Sequence, residues 1–322
     1  MQSFNHFLRE KGVSNEVRSL LYHIARSVKY INFSIRAGNT GKCESQNLFG
    51  ENQLKLDVSA DKTIADELEK SELVTVIASE EKDKPEKFKS SRGNFFVAYD
   101  PLDGSSLVDA NLAIGSIFGI WENADNILGK KVGENLIASC YAVYGPRITL
   151  TIAIKDKGAH EFELNDVGEF ILSREKVEIE NQSKYFAPGN LRACLNNPNY
   201  KKWVDFAIEN KKTLRYSGGM VPDLHHILSK GQGIFCYPRD KKHVEGKLRL
   251  LFECAPFTFI FQEANGIGLN QEGKNILDTV VEDFHQTTPI FIGSKEEIQT
   301  VVKFLRKHGK NKNAFHQSSQ TI

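Results

Sequence analysis

Residues 95–106 read FFVAYDPLDGSS, and this stretch decides the fold class and the chemistry together. An apolar run, FFVAY at 95–99, leads straight into Asp100. Such a run predicts a buried strand ending on Asp100. Pro101 disfavours the helical conformation at Asp100 and removes one competing amide. Asp100 and Asp103 can then face one cation from two sides of a turn, with the Leu102 carbonyl as a further oxygen. Gly104, Ser105 and Ser106 offer successive unhindered amides and hydroxyls, which at a helix start make a phosphate site.

Working outward, more acids fall at the ends of predicted elements. LVTVIAS (73–79) reads as a strand running into Glu80 and Glu81. Asp57 stands just before a helix predicted over 59–71, and Glu253 just before a buried helix, APFTFIFQEA (255–264). Taken singly, Asp57 or Glu253 is more simply a surface residue or a helix cap. Taken with Glu80, Glu81, Asp100 and Asp103 they make six carboxylates, which repel one another unless cations intervene. Hard oxygen ligands suit Mg²⁺ or Mn²⁺. Metal beside a phosphate cradle is what metal-assisted phosphoester hydrolysis needs. Rival motifs fail: positions 3, 5 and 12 of an EF-hand begun at Asp100 are Leu102, Gly104 and Asn111. GxxxxGK[ST], GxSxG and HExxH do not occur, and His225–His226 is expected on a helix surface.

Helical spacing of apolar residues predicts a helix over 15–37, capped by Ser14 and stopped by Gly38. GNTGKCESQNLFGEN (38–52) and EKDKPEKFKSSRG (81–93) read as loops, the first able to move. Strands are expected at 114–121, 137–144 and 147–154, with a hairpin turn at GPR (145–147). Beyond 175 come a helix at 198–210, a strand at 233–237, a strand at 289–293 and a helix at 295–308. The mixture predicts an α+β layered fold in two packed parts, 1–175 and 176–310, with a disordered tail at 311–322.

The composition limits the partners. The 322 residues carry a formal net charge of +1, so bulk charge draws the chain to neither nucleic acid nor membrane. LLFECAPFTFIF (250–261) is too short to cross a bilayer and contains Glu253 and Pro256. Five cysteines without a CxxC pair favour reduced thiols in a cytoplasmic protein.

YDPLDGSSLVDANLAIGSIFGI (99–120) resembles class I fructose-1,6-bisphosphatases. So do KLDVSADK (55–62), ASEE (78–81), LRYSGGMVPDLHHIL (214–228), GIFCYP (233–238) and GKLRLLFECAP (246–256). Together they cover about residues 14–308. The resemblance implies an α/β/α/β/α sandwich of the sugar phosphatase type, and hydrolysis of the 1-phosphate of fructose 1,6-bisphosphate. Glu80, Glu81, Asp100, Asp103 and Glu253, with the Leu102 carbonyl, would bind Mg²⁺ or Mn²⁺. Asp57, Glu80 and Glu81 would be catalytic, Asp57 and Glu80 helping to orient or deprotonate the attacking water. Asp103, Gly104, Ser105 and Ser106 would hold the phosphate being removed, Gly218, Gly219 and Met220 would line the sugar pocket, and Lys247 and Arg249, alternating on one strand, would lie near the sugar and its phosphates. Tyr216 and Tyr237 would hold the far phosphate. Arg215 would cross into a neighbouring subunit's site, making the active unit a homo-oligomer, typically a tetramer.

Two departures qualify that resemblance. Where many relatives carry an INEG-like motif, this chain reads FAPGNLRA (186–193), with Asn190 as the counterpart, and this resembles sedoheptulose-1,7-bisphosphatases. Tyr237, which the plastid sedoheptulose enzymes tend to lack, argues the other way, so either sugar or both remain open. The Lys-Tyr pair of AMP-sensitive members is Asn94–Phe95 here, so AMP inhibition is expected to be weak or absent. An inactive sugar-phosphate sensor is the alternative of another class, but it should have lost one of the six acids, and all are present.

Overall fold

The computed structural model describes residues 2–37, 42–46, 52–89, 91–123 and 126–306. Two helices open the chain, α1 (Phe4–Glu10) and α2 (Asn15–Arg36), the second capped by the Ser14 hydroxyl, which accepts from the Val17 amide at 3.3 Å. An antiparallel pair, β1 (Lys42–Gln46) and β2 (Asn52–Leu54), leads into α3 (Lys55–Lys70). Then follow β3 (Val74–Ser79), β4 (Glu86–Lys87), β5 (Phe95–Asp103), β6 (Ile114–Glu122), β7 (Leu136–Tyr144), β8 (Ile148–Ile154), β9 (Gly158–Leu164) and β10 (Phe170–Val177). The second half runs β11 (Tyr185–Pro188), α4 (Pro198–Glu209), β12 (Thr213–Leu214), α5 (Met220–Lys230), β13 (Ile234–Tyr237) and β14 (Leu248–Arg249). It closes with α6 (Ala255–Glu263), β15 (Ile267–Leu269), β16 (Thr287–Thr288), β17 (Ile290–Gly293) and α7 (Lys295–Arg306).

Eight strands form one sheet in the order β10-β9-β8-β7-β6-β5-β3-β4, antiparallel throughout except for the parallel pair β3–β5. Five more form a mixed sheet, β12-β11-β13-β17-β15. Side-chain alternation along β5 explains the layering. Phe95, Val97 and Tyr99 pack with α1, α2 and α3 on one face, while Phe96 and Ala98 pack with α5 and α6 on the other. The outer side of the smaller sheet is covered by α4 and α7 through Trp203, Tyr200, Ile298 and Val301. The result is the α/β/α/β/α sandwich that the resemblance implied.

Several local expectations are corrected. β5 does not end at Asp100 but runs on to Asp103. Asp100 pairs with Ile117 and Asp103 with Gly115, so three steps on β5 oppose two on β6. That extra residue is a bulge, where a proline without an N–H is tolerated, and the Ser116 hydroxyl donates to the Pro101 carbonyl at 2.7 Å. Helix α3 begins at Lys55, so Asp57 lies in its first turn rather than ahead of it, where a carboxylate suits the helix dipole. The polar stretch 38–52 is not all loop, since 42–46 pairs with 52–54. The remainder of that stretch, Gly38 included, and the tail at 311–322 lie outside the described residues. His225 and His226 are half-buried rather than on the surface, with His225 Nδ1 3.0 Å from the Tyr141 hydroxyl. The reading did not foresee β9 or β10, whose mixed polar residues mask a period of two. β14 is only Leu248–Arg249, with Lys247 just before it.

Candidate active site

Ligand oxygens of Asp100, Asp103 and Glu253 lie within 4.8 Å of one another, and all three residues are buried. The β5 bulge explains two of them, because it brings carboxylates from either side of Pro101 to one place. Glu253 arrives on a π-helical turn, Leu250–Cys254, that leads into α6. Its Oε2 accepts the Arg249 amide at 2.5 Å. Asp100 Oδ1 accepts the Leu102 amide at 2.9 Å. Both oxygens of Asp103 accept the opening amides of α5, from Met220 at 3.3 Å and Val221 at 2.6 Å. α5 can come so near because residue 115 of β6 is glycine: a Cβ there would stand 2.3 Å from Val221 Cγ1.

Glu80 and Glu81 sit on the turn after β3. The Glu80 amide bonds the Tyr99 carbonyl at 3.1 Å and the Lys82 amide bonds the Ser79 carbonyl at 3.2 Å. Arg249 Nε stands 3.6 Å from Glu80 Oε1. Burial, then repulsion from neighbouring acids, raises Asp100 and Glu253 well above the ordinary carboxylate range. Burial lifts Glu80 to about 7, with Glu81 and Asp103 adding to it against Arg249. Burial lifts Asp103 to about 6, against the two α5 amides. Four crowded acids beside one arginine cannot all ionise without a further positive charge. An all-oxygen donor set of this kind fits a hard divalent cation.

These acids form one wall of a cavity of about 960 Å³. Gly104, Ser105 and Ser106 line it beside Asp103. Gly104 takes φ +77°, a left-handed conformation that opens the 3₁₀ turn Ser105–Leu107, and its missing Cβ would meet Gly219 Cα at 3.5 Å. Glu81, Leu102, Gly218, Gly219, Met220, Tyr216, Tyr237, Lys247 and Arg249 also face the cavity. Asn190 does too, but its amide nitrogen donates to the Pro238 carbonyl (3.2 Å) and to Asp240 Oδ2 (2.9 Å). Two predicted residues stand apart from this lining. Asp57 is buried in the first turn of α3. Arg215 is exposed, its guanidinium 5.8 Å from the centre of the Tyr185 ring.

Sequence reasoning missed Arg192 and the loop Lys241–Glu245, all of which line the cavity. Asp240 Oδ1 folds that loop by accepting the amides of Lys242 (2.9 Å) and His243 (2.7 Å). The signal was visible as the basic run RDKKHVEGK (239–247) between two recognised motifs. Arg192 lies two residues after Asn190 on the 3₁₀ turn Leu191–Leu195, and among the described residues it forms no ion pair.

The chain has extensive likeness to known proteins. Sequence models of the fructose-1-6-bisphosphatase N-terminal domain and C-terminal domain match residues 3–175 and 179–306. A class 1 fructose-1,6-bisphosphatase of Trichlorobacter lovleyi is 42% identical over 94% of this chain and 94% of its own length. The chloroplastic sedoheptulose-1,7-bisphosphatase of Triticum aestivum is 38% identical over 92% of this chain and 75% of its own. The crystal structure of Leishmania major fructose-1,6-bisphosphatase in holo form superposes with a TM-score of 0.86 at 32% identity, covering 94% of this chain and 98% of that one.

Proposed function

As the chain belongs to the fructose-1,6-bisphosphatase family and is a phosphoric monoester hydrolase, we propose that it hydrolyses the 1-phosphate of fructose 1,6-bisphosphate with Mg²⁺, giving fructose 6-phosphate and phosphate. The observation that carries this is the meeting of Asp100, Asp103 and Glu253 within 4.8 Å, on the wall of a cavity that also holds Gly104–Ser106 and a basic, tyrosine-bearing side. Asp100, Asp103, Glu253, Glu80, Glu81 and the Leu102 carbonyl would hold the cation. The cation supplies charge stabilisation and an acidified water.

The chain's own groups do the remaining work. The Ser105 and Ser106 amides and hydroxyls orient the phosphoryl group. A carboxylate oxygen of Glu80 or Glu81 takes a proton from the attacking water, whose oxygen bonds to phosphorus as the bond to the sugar oxygen breaks, and the sugar oxygen leaves with that electron pair and takes up a proton from solvent. No phosphoenzyme forms. Tyr216, Tyr237, Lys247 and Arg192 bind the second phosphate, and Asn190 shapes the loop beside it. Arg215, exposed outside the cavity, fits a role in a neighbouring subunit's site within a homotetramer. AMP inhibits weakly or not at all, and an AMP titration tests this.

Sedoheptulose 1,7-bisphosphate is the second reading, favoured by GNLRA and by the likeness to the wheat enzyme. Free thiols at Cys140, Cys194, Cys236 and Cys254 fit a reducing cytoplasm. Among the described residues no helix is long and apolar enough to cross a membrane. The deciding experiment is phosphate release from both bisphosphates, with Mg²⁺ or EDTA. Chelator-sensitive release is expected, and the ratio of kcat/KM values chooses the sugar. No release from either overturns the reading.

A further inference from the structure

The turn carrying Glu80 and Glu81 is tied at its outer end to a residue 203 positions away: His285 Nε2 lies 2.9 Å from the Lys82 carbonyl. That geometry requires the ring nitrogen to donate. His285 meets two other parts of the site as well. Its ring packs against Phe252, next to Glu253, with centroids 5.3 Å apart. Its main-chain carbonyl accepts from Arg249 Nη1 at 3.2 Å. The backbone around it is itself fixed. Asp283 Oδ1 accepts the His285 amide at 2.7 Å, the Leu250 amide bonds the Gln286 carbonyl at 2.8 Å, and Thr287 pairs with Arg249 in the β14–β16 ladder.

We propose that His285 is a positioning residue for the metal site, clamping the Glu80–Glu81 turn from the C-terminal half against Arg249 and Glu253. The other ties on that turn include the Glu80 amide to the neighbouring strand, the Lys82 amide to Ser79, the Lys82 ammonium to Asp61 on α3 at 3.2 Å and the Glu80 carboxylate to Arg249 at 3.6 Å, of which only the last also reaches the C-terminal half. Together with the Arg249–Glu80 pair, the His285 bond, which holds the backbone of the turn rather than a side chain, sets where the turn stands relative to the π-helical segment that brings Glu253. Groups that orient metal ligands commonly change metal affinity or activity 10- to 100-fold when lost. The proposal rests on the hydrolase reading given above for the cation, and its test separates the two.

The test compares His285→Phe, which keeps a ring against Phe252 but cannot donate, with His285→Gln, which keeps a donor. Two midpoints are read for each protein: Mg²⁺ activation of phosphate release, and the Mg²⁺-induced rise in Tm measured without substrate. His285→Phe is expected to raise both midpoints about tenfold, with its Tm in EDTA close to that of the parent, and His285→Gln is expected to recover most of the loss. Unchanged midpoints in His285→Phe overturn the clamp, as does equal impairment in both variants, which would mean that packing alone matters. If His285→Phe does not fold, His285→Leu takes its place under the same criteria. A parent protein with a Mg²⁺-dependent Tm but no phosphatase activity overturns the hydrolase reading while the Tm midpoints still judge the clamp. A parent with no response to Mg²⁺ overturns both.

Discussion

Asp103 Oδ2 accepts the Val221 amide at 2.6 Å, so a carboxylate of the DPLD turn caps the first turn of α5. On the proposed reading the same side chain has two duties, one towards a cation and one towards a helix, and they can be separated. Asp103→Ala loses both. Asp103→Asn keeps one acceptor and removes a buried charge. Both variants should lose roughly three or more orders of magnitude in kcat. In EDTA, Asp103→Ala should be less stable by about 0.5–2 kcal/mol, the usual worth of a cap, while Asp103→Asn stays near the parent. Urea denaturation beside a phosphate-release assay checks both halves. Near-normal activity in either variant would remove Asp103 from the metal site.

The crowded acids make stability depend on pH in an unusual direction. Glu80 has its folded carboxyl raised from 4.5 to about 7 by burial, with Glu81 and Asp103 adding to it. Below 4.5 it is protonated in both the folded and unfolded chains. Between 4.5 and 7 the unfolded chain ionises and the folded one does not, so metal-free stability falls as pH rises through that window. Asp103, raised from 3.8 to about 6 by burial, acts in the same sense. A divalent cation favours the ionised forms. The Mg²⁺-induced rise in Tm should therefore be larger at pH 8 than at pH 6, and Mg²⁺ binding should release protons. Calorimetry in two buffers of different ionisation enthalpy measures the release. A rise in Tm that does not vary with pH would contradict the assignment.

Gly115→Ala tests the seat of α5. The new Cβ would lie 2.3 Å from Val221 Cγ1 and 2.4 Å from the Ala142 carbonyl. That carbonyl belongs to a strand paired on both sides and cannot yield cheaply. A loss of about 1–3 kcal/mol is expected from overpacking, together with weaker Mg²⁺ binding, because α5 supplies the Asp103 amides. An unchanged urea midpoint would show that α5 is not held as tightly as its contacts indicate.

Arg192→Ala should lower kcat/KM for the sugar bisphosphate about 10- to 100-fold, the range for losing a hydrogen bond to a charged group. The Mg²⁺ midpoint should not move, since Arg192 touches none of the clustered acids. Steady-state kinetics on both bisphosphates checks this. A larger loss on the seven-carbon sugar would mark Arg192 as a determinant of chain length.

The legible parts of the chain were those with strong local chemistry. Asp100, Asp103 and Gly104–Ser106 could be read because proline, glycine and paired acids constrain backbone and charge within a few residues. The layering could be read because helical and strand patterns are mixed along the whole chain. The bulge could not, since the register of β5 is set by partners on β6. Arg192 and the Lys241–Glu245 loop were missed for a related reason: what brings them to the cavity is Asn190, through a bond to Asp240 fifty positions on. The start of α3 was misplaced as well, since the helix begins two residues before Asp57 rather than after it.

Strands β5 to β10 lie beside one another in the order in which they are made. A nascent chain can lay down this part of the larger sheet from local contacts as it leaves the ribosome. The acids on that sheet gain their partners far later: α5 must be complete before Asp103 is capped, and His285 must emerge before the Glu80–Glu81 turn is clamped. A chain still being made would thus carry a folded but chemically silent scaffold until α5, Glu253 and His285 have followed it off the ribosome.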